Sequence, residues 1–379
     1  MIKKNIQPAL LFVLLLFVAG CIDPYRAPAE KSNADLLVID GFLNSTAGTA
    51  SVKLSKTIPV SLSTGYRSEK NAIVSIEDEN GTVFNLPQKD TGVYESSNMN
   101  IAFSQKYQLH IKTTSGKEYR SDFIELKQTP PLDNITWKPS ADGITLYANT
   151  HDPNQKTHYY QWMFTETWEY NADLYSVYKM VNGEPKPRTA AEDVYVCWRS
   201  APSTQILINS TMRLSSDVVS DFPLTFIEKG SKKISRTYSM LLQQRGLTEE
   251  AYNYWDHLKK TTENLGGLFD PLPYQLLSNV HNINDSSEPV LGYFYGGGVE
   301  EKRIFIRFYE LPDYLLFIPR SSCVQDTLYI KDLSRYNSTS LLTSAVGQPI
   351  PIAYLITSKS CADCTTQGGS LTKPDFWPR

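Results

Sequence analysis

Short runs of apolar side chains, many alternating with polar ones, dominate the chain from residue 36 to residue 129. Because successive side chains of a strand point to opposite faces, this pattern predicts half-buried β-strands. The clearest runs are 36–43, 50–56, 72–77 and 106–112. Turn residues at 78–81 and 114–116 separate several runs and predict hairpins. We therefore predict a β-sandwich of immunoglobulin or transthyretin-like type at 36–129, ending at two consecutive prolines.

A second series of strand patterns begins at residue 130 and continues to the end of the chain. The candidate strands are 134–137, 143–148, 159–170, 194–198, 204–209, 238–243, 290–295, 303–308, 327–330 and 350–356. Only a glycine-rich turn and a charged turn separate 290–295 from 303–308, so we interpret these two runs as adjacent strands. Segment 171–193 is polar with scattered charge, which predicts a long loop or an irregular insertion. Together these patterns predict a larger β-rich domain at 130–379.

One stretch departs from the β pattern and predicts a prominent α-helix near 248–265. Ala251, Trp255 and Leu258 recur at helical spacing, which places them on one face. Thr248 is a suitable N-cap, and two glutamates follow it where carboxylates meet the positive end of the helix dipole. A pair of glycines then predicts the end of the helix. We expect the aromatic side chains of this helix to pack on a sheet.

The first twenty residues have the pattern of a secretory signal. Lys3 and Lys4 precede the apolar run 9–18, which is too short for an ordinary membrane span. The run ends in Val-Ala-Gly-Cys, which resembles a bacterial lipobox. We therefore predict a signal peptide at 1–20 and lipidation of Cys21, whose thiol would carry the acylated glycerol. The alternative is a plain secretory signal that happens to end in cysteine.

Composition and charge narrow the possible partners. The chain has 379 residues, of which 41% are hydrophobic and 20% charged, as in folded proteins. Its net charge is −3 and it has no basic block, so we expect no nucleic-acid partner. The 23 tyrosines suit half-buried strands and wet binding surfaces. Residues 21–35 are rich in proline and polar side chains, which predicts a tether between the membrane and the fold.

Four cysteines remain once Cys21 is set aside: Cys197, Cys323, Cys361 and Cys364. In an oxidising compartment four cysteines predict two disulfides, and three pairings are possible. The last two have the spacing of a redox or zinc motif. However, the sequence offers no second pair of zinc ligands nearby and no βαβ context of a thioredoxin-type site. Disulfides are therefore preferred over metal or redox chemistry, and we expect no metal and no cofactor.

Few polar side chains favour a catalytic interpretation. Glu166 and Glu169 stand at an odd spacing within one strand pattern, so they face opposite sides, which argues against a paired-carboxylate glycosidase site. The sequence contains neither G-x-S-x-G nor H-E-x-x-H, and we expect no enzyme activity. A hydrolase that uses Glu166, Glu169, Asp270 or His257 is the alternative. If a ligand groove exists, we place it at Glu166, Trp168, Glu169 and Asp270, beside an extended proline-rich segment.

A series of short motifs along the mature chain resembles one protein family. The motifs are CIDPY at 21–25, LVIDG at 37–41, VKLS at 52–55, ETWE at 166–169, CW at 197–198, YNYW at 252–255, GGLFDPLP at 266–273, VLGYF at 290–294 and CADC at 361–364. In this order they resemble the Bacteroidetes lipoprotein family named domain of unknown function 4249. The resemblance implies an outer-membrane lipoprotein, often encoded beside TonB-dependent receptors. It implies no catalytic residues, because none are established for that family.

Three hypotheses about function follow. The first is a binding or accessory lipoprotein, anchored on either face of the outer membrane, that works with a transporter of the TonB-dependent type. The second is a structural or assembly protein of the cell envelope. The third is the hydrolase, for which the sequence offers no convincing pair of nucleophile and base.

Overall fold

The computed structural model describes residues 35–58, 67–263, 278–316 and 322–378. Within them the fold is mainly β, with one long helix, α1 (Glu249–Thr262), and one short helix, α2 (Lys359–Ala362). The predicted mainly-β class, with a front β-sandwich and one prominent helix, is confirmed. The predicted signal peptide, Cys21, Asp270 and all of the tether but its last residue lie outside the described residues.

The strands in chain order are β1 (Leu37–Asn44), β2 (Thr49–Lys56), β3 (Arg67–Ser68), β4 (Ile73–Asp78), β5 (Val83–Asn85), β6 (Gln88–Asp90), β7 (Val93–Ser96), β8 (Lys106–Lys112), β9 (Glu118–Ser121), β10 (Ile124–Glu125), β11 (Leu132–Ser140), β12 (Gly143–His151), β13 (Tyr159–Asn171), β14 (Tyr178–Val181), β15 (Glu184–Pro187), β16 (Val196–Pro202), β17 (Leu207–Ser210), β18 (Val218–Glu228), β19 (Thr237–Gly246), β20 (Val280–Asn282), β21 (Leu291–Gly297), β22 (Val299–Arg307), β23 (Asp326–Tyr329), β24 (Ser340–Val346) and β25 (Ala353–Ser358). Short 3₁₀ turns occupy Ala190–Glu192, Lys232–Ile234, Phe308–Glu310, Asp313–Leu315, Ile330–Arg335 and Cys364–Gln367.

The first sandwich packs two sheets around one apolar core. One sheet has the order β21-β1-β2-β7-β6, with β3 paired to β2, and the other has the order β20-β9-β8-β4-β5, with β10 paired to β8. Alternate residues of each strand point inward, so Tyr94 of the first sheet and Tyr107 of the second are both fully buried. Each such side chain contributes about 1.5–3 kcal/mol through its removal from water.

Two strands of this sandwich come from the far side of α1 in sequence. β21 pairs in parallel with β1, with Gly41 opposite Phe294, and β20 pairs with β9. β22 pairs instead with β19 in the second sandwich. The prediction that 290–295 and 303–308 are adjacent strands is therefore wrong, because the chain leaves one sheet and enters another at Gly298. The first sandwich accordingly combines residues before 130 with strands that the sequence placed in the 130–379 region.

The second sandwich is built around the long strand β13. Its sheets have the orders β11-β12-β18 and β16-β13-β19-β22, with β17 also paired to β13. Trp162 of β13 is fully buried, and its indole N–H donates to Gln244 Oε1 at 2.9 Å. The amide of Gln244 in turn donates to the carbonyl oxygen of Pro130 at 2.7 Å. This buried polar chain links the core of the second sandwich to the segment that enters it.

A third, smaller sheet has the order β15-β14-β24-β25-β23. Its first two strands, β15 and β14, form a hairpin within 171–193. The prediction of a long loop or an irregular insertion without strands in this segment is therefore wrong. The turn residues Asn182 and Gly183 both have left-handed backbone angles, with φ values of 51° and 82°. These residues favour the two-residue hairpin turn that suits twisted strands. The Asn-Gly pair was therefore the available signal for this hairpin.

Helix α1 lies where the first two sandwiches meet. The hydroxyl of Thr248 accepts a hydrogen bond from the backbone of Ala251 at 3.2 Å, as the predicted N-cap requires. Leu247, Ala251 and Tyr295 are buried together, so the helix packs on β21 of the first sandwich and beside β17 of the second. In the part of the chain that the structure describes, neither helix has the length and apolar character needed to cross a bilayer.

Candidate functional site

A cleft of about 310 Å³ opens between the first sandwich and the N-terminal turn of α1. Three parts of the chain form its walls. They are residues 106 and 122–125 of the first sandwich, the start of α1, and β21 together with the residue just before β20. The lining residues are Lys106, Asp122, Phe123, Ile124, Glu125, Thr248, Glu250, Ala251, Asn279, Tyr293, Tyr295 and Gly296. Ligand sites form preferentially at such junctions between domains, which makes this cleft the candidate site.

Strand β21 borders the cleft through Tyr293, Tyr295 and Gly296, and a buried amide holds the strand in place beside it. β21 is the last strand of its sheet, and the N–H and C=O groups of Phe294 point away from β1. The buried amide of Asn279 meets both: its Oδ1 accepts from Phe294 N at 2.9 Å, and its Nδ2 donates to Phe294 O at 2.7 Å. A single side chain therefore supplies the two hydrogen bonds that a neighbouring strand would make at this position.

The ionisable groups of the cleft are mostly acidic. Glu125 forms an ion pair with Lys106, whose Nζ lies 3.0 Å from Glu125 Oε1. The hydrogen bond from that ammonium holds the pKa of the Glu125 carboxyl below its usual value. Burial, followed by the charges of Glu250 and Asp122, raises the pKa of Tyr293 to about 12. The phenol therefore stays neutral, and its hydroxyl lies in the field of two carboxylates.

A cluster of aromatic side chains on β21 and α1 packs against the cleft and holds its walls in place. The hydroxyl of Tyr295 accepts from Arg245 at 2.7 Å and donates to Gln161 at 2.9 Å, so it joins β21 to β13 and β19. The Arg245 guanidinium stacks 3.6 Å above the ring of Phe42. Tyr293 stacks on Tyr254 of α1 with ring centroids 4.6 Å apart. These contacts fix the position of β21 relative to the helix.

The sequence-predicted groove does not bring its carboxylates together. Glu166 is buried, and its carboxylate accepts from Lys233 Nζ at 2.5 Å and from the Tyr238 hydroxyl at 2.9 Å. Glu169 lies on the opposite face of β13, where it pairs with Arg236 at 2.7 Å and accepts from Trp377 at 3.2 Å.

Trp168 is also occupied, since its buried ring lies 5.3 Å from the Lys233 ammonium and 5.7 Å from the Arg199 guanidinium. The three described residues of the predicted groove thus form ion pairs and cation–π contacts within the fold. Asp270 lies outside the described residues. His257 is exposed on α1.

The structure resolves the cysteine pairing that the sequence left open. Cys197 is bonded to Cys364, and Cys323 is bonded to Cys361. The predicted disulfides are present, and the two cysteines of the C-x-x-C motif bond to different partners rather than to each other. Among the described residues, no group of three or more His, Cys, Asp or Glu side chains is arranged to hold a metal ion.

Sequence reasoning missed the cleft because its residues come from distant segments with no shared motif. Asp122 and Glu250 appear as ordinary surface carboxylates, and Asn279 lies in an irregular stretch.

Comparisons with known proteins identify a family for the chain. A family model described as domain of unknown function (DUF4249) matches residues 22–303. No curated protein matches the chain. Among solved structures, a segment of two fibronectin type-III domains from chicken tenascin is similar at 10% identity, covering 56% of this chain and 91% of that chain, with a TM-score of 0.16.

Proposed function

Because the chain belongs to the family described as domain of unknown function DUF4249, which has no assigned activity, we propose a function from its own residues. The protein is a lipid-anchored lipoprotein of the outer membrane that binds a ligand or partner and works beside a transporter of the TonB-dependent type. The observation that carries this proposal is the lipobox ending at Cys21, followed directly by a tether and a body built of β-sandwiches.

The arrangement of the N-terminal region supports anchoring. Between Cys21 and β1 lie fifteen residues, 22–36, which span up to about 50 Å when extended at roughly 3.3–3.6 Å each. A tether of this reach lets the sandwiches contact a neighbouring membrane protein while the acyl chains stay in the bilayer. The two disulfides support an oxidising compartment such as the cell envelope.

The state of the candidate carboxylates supports binding rather than hydrolysis. Glu166 and Glu169 are each held by a cation and a second donor, on opposite faces of one strand. Neither is free to act on a substrate together with the other. The cleft beside β21 instead combines acidic and aromatic side chains, which suits recognition.

Replacing Cys21 with alanine is expected to abolish incorporation of a metabolic palmitate label into the protein. The reason is that the thiol is the attachment point for the acylated glycerol. Ala27→Ser in the tether is the matched control and should be labelled like the wild type. When 1–20 is also exchanged for a plain secretory signal, the Cys21→Ala protein should fractionate as soluble. A labelled Cys21→Ala protein would contradict the anchor.

The transporter partnership is tested separately by affinity purification of the full chain from detergent-solubilised membranes after mild crosslinking. We expect a β-barrel transporter to co-purify with the wild type. The alternative, a structural or assembly role, is favoured if no transporter is recovered and deletion of the protein weakens envelope integrity instead.

A further inference from the structure

We propose that a second cleft, which shares Glu125, Thr248 and Glu250 with the first, binds a small zwitterion such as a free amino acid or a dipeptide. The carboxylate of the ligand would lie against lysines and its ammonium against glutamates. This inference names a ligand class for the binding role proposed above and rests on that role. Its test needs neither the anchor nor the transporter, so the two proposals can fail separately.

The second cleft has a volume of about 270 Å³. Its lining residues come from three segments, which are 125–127, 156–159 and 247–250. Hydrogen bonds hold these segments together: Leu247 N donates to Tyr159 O at 2.9 Å, and Thr157 Oγ1 donates to Gln128 O at 2.9 Å. Because sites for drug-sized ligands measure about 300–1,000 Å³, this cleft suits a smaller molecule.

Opposite charges line this cleft without being paired. Lys127 and Lys156 are its ammonium groups, and Glu249 and Glu250 contribute carboxylates from the start of α1. Among the described residues, none of these four side chains forms an ion pair or a hydrogen bond. The field of the glutamates reaches the Tyr159 phenol, whose pKa is raised first by burial and then by the charges of Glu249 and Glu250.

This distribution of charge selects for a ligand that carries both signs. A simple anion is attracted to the lysines but repelled by the glutamates, and a simple cation has the reverse difficulty. A zwitterion can direct each of its ends to the group of opposite sign, so its charges complement both sets at once.

His158 adds a further polar group to the wall, with 35% of its side chain exposed. Behind the ring, Oδ2 of the buried Asp217 lies 3.9 Å from His158 Nδ1, and neither atom has a hydrogen-bond partner in the part of the chain that the structure describes. Asp217 Oδ1 accepts from the hydroxyls of Tyr160 at 2.9 Å and Thr211 at 2.6 Å, which fixes the carboxylate. Since this carboxylate favours an N–H at Nδ1, the opposite nitrogen, Nε2, is left for the ligand.

The test is isothermal titration calorimetry of the purified full chain in detergent, with L-alanine and alanylalanine as probes. We expect saturable binding of at least one of them. The amide of the bound probe keeps only the positive charge, and its N-acetyl derivative keeps only the negative charge. Each analogue should bind at least fivefold more weakly, because one set of charge contacts is lost and the like charges repel the end that remains.

Two double variants identify the groups that act. Lys127→Gln with Lys156→Gln should weaken binding of the zwitterion about five- to tenfold and should leave binding of the amide no weaker. Glu249→Gln with Glu250→Gln should weaken the zwitterion by a similar factor and should leave binding of the N-acetyl derivative no weaker.

Lys186→Gln and Glu184→Gln on the hairpin of the third sheet are the matched controls, because they remove the same charges outside the cleft. Both should bind like the wild type, and thermal unfolding verifies that every variant is folded. No saturable binding of either zwitterion, equal binding of a singly charged analogue, or an unchanged affinity of either double variant would overturn the proposal. An equal loss of affinity in the control variants would also overturn it, since the effect would then come from net charge alone.

Discussion

Replacing Cys197 and Cys364 together with serine is expected to lower the free energy of unfolding by about 4–5 kcal/mol. The bridge joins residues 167 positions apart, and both cysteines are fully buried. Its loss frees a long loop in the unfolded chain and places two hydroxyl groups in an apolar site. Equilibrium unfolding in urea, monitored by tryptophan fluorescence, measures the change.

The second bridge is the matched control for this experiment. Cys323 and Cys361 are only 38 positions apart, so their replacement by serine should cost about 1 kcal/mol less than that of the first pair. Reduction of the wild type should approach the behaviour of the variant that lacks both bridges. If the short bridge contributes more than the long one, the account based on the unfolded chain is wrong.

The local part of the fold was predictable because the period of two is a local property. β1, β2, β4 and β8 lie within two residues of their predicted bounds, and so does the start of α1, where Thr248 caps the helix. In each case the pattern and its turn or cap residues stand within a few positions of each other. Such signals need no knowledge of the rest of the chain.

Strand pairing was not predictable in the same way, because a strand's partner is a tertiary choice. The run at 290–295 has the same alternation whether it pairs with β22 or with β1. What decides is burial: Phe294 fits the closed core of the first sandwich, and Gly41 opposite it leaves room for the ring, since a Cβ there would lie 2.9 Å from Phe294. No pattern within 290–308 contains that information.

The candidate site residues show the same contrast between local features, which the sequence predicts, and tertiary contacts, which it does not. The cysteine count predicted two disulfides but not their pairing. The pairing is set by the tertiary fold, which places Cys361 of α2 beside Cys323 and Cys364 of the following turn beside Cys197. The odd spacing of Glu166 and Glu169 predicted opposite faces, which the two separate ion-pair networks agree with. Their cationic partners, Lys233 and Arg236, are about 70 positions away and could not be assigned from the sequence. A groove was therefore expected where the structure has paired charges.

Replacing Phe294 with alanine is expected to destabilise the protein by about 3–5 kcal/mol, and the effect should fall on the first sandwich. Phe294 is fully buried in that core, although β20 and β21 lie more than 150 positions beyond the other strands of the sandwich in sequence. Amide hydrogen exchange should therefore accelerate in β1, which pairs with β21, and in β2, the next strand of that sheet. The interior strands of the second sandwich, β13 and β19, should keep their protection.

Phe308→Ala provides the matched control, because this phenylalanine follows β22 and is 48% exposed. Its truncation removes the same atoms from a site that is already half in water, so the cost should stay near or below 1 kcal/mol. Faster exchange in β13 and β19, with β1 unchanged, would mean that β21 belongs to the second sandwich.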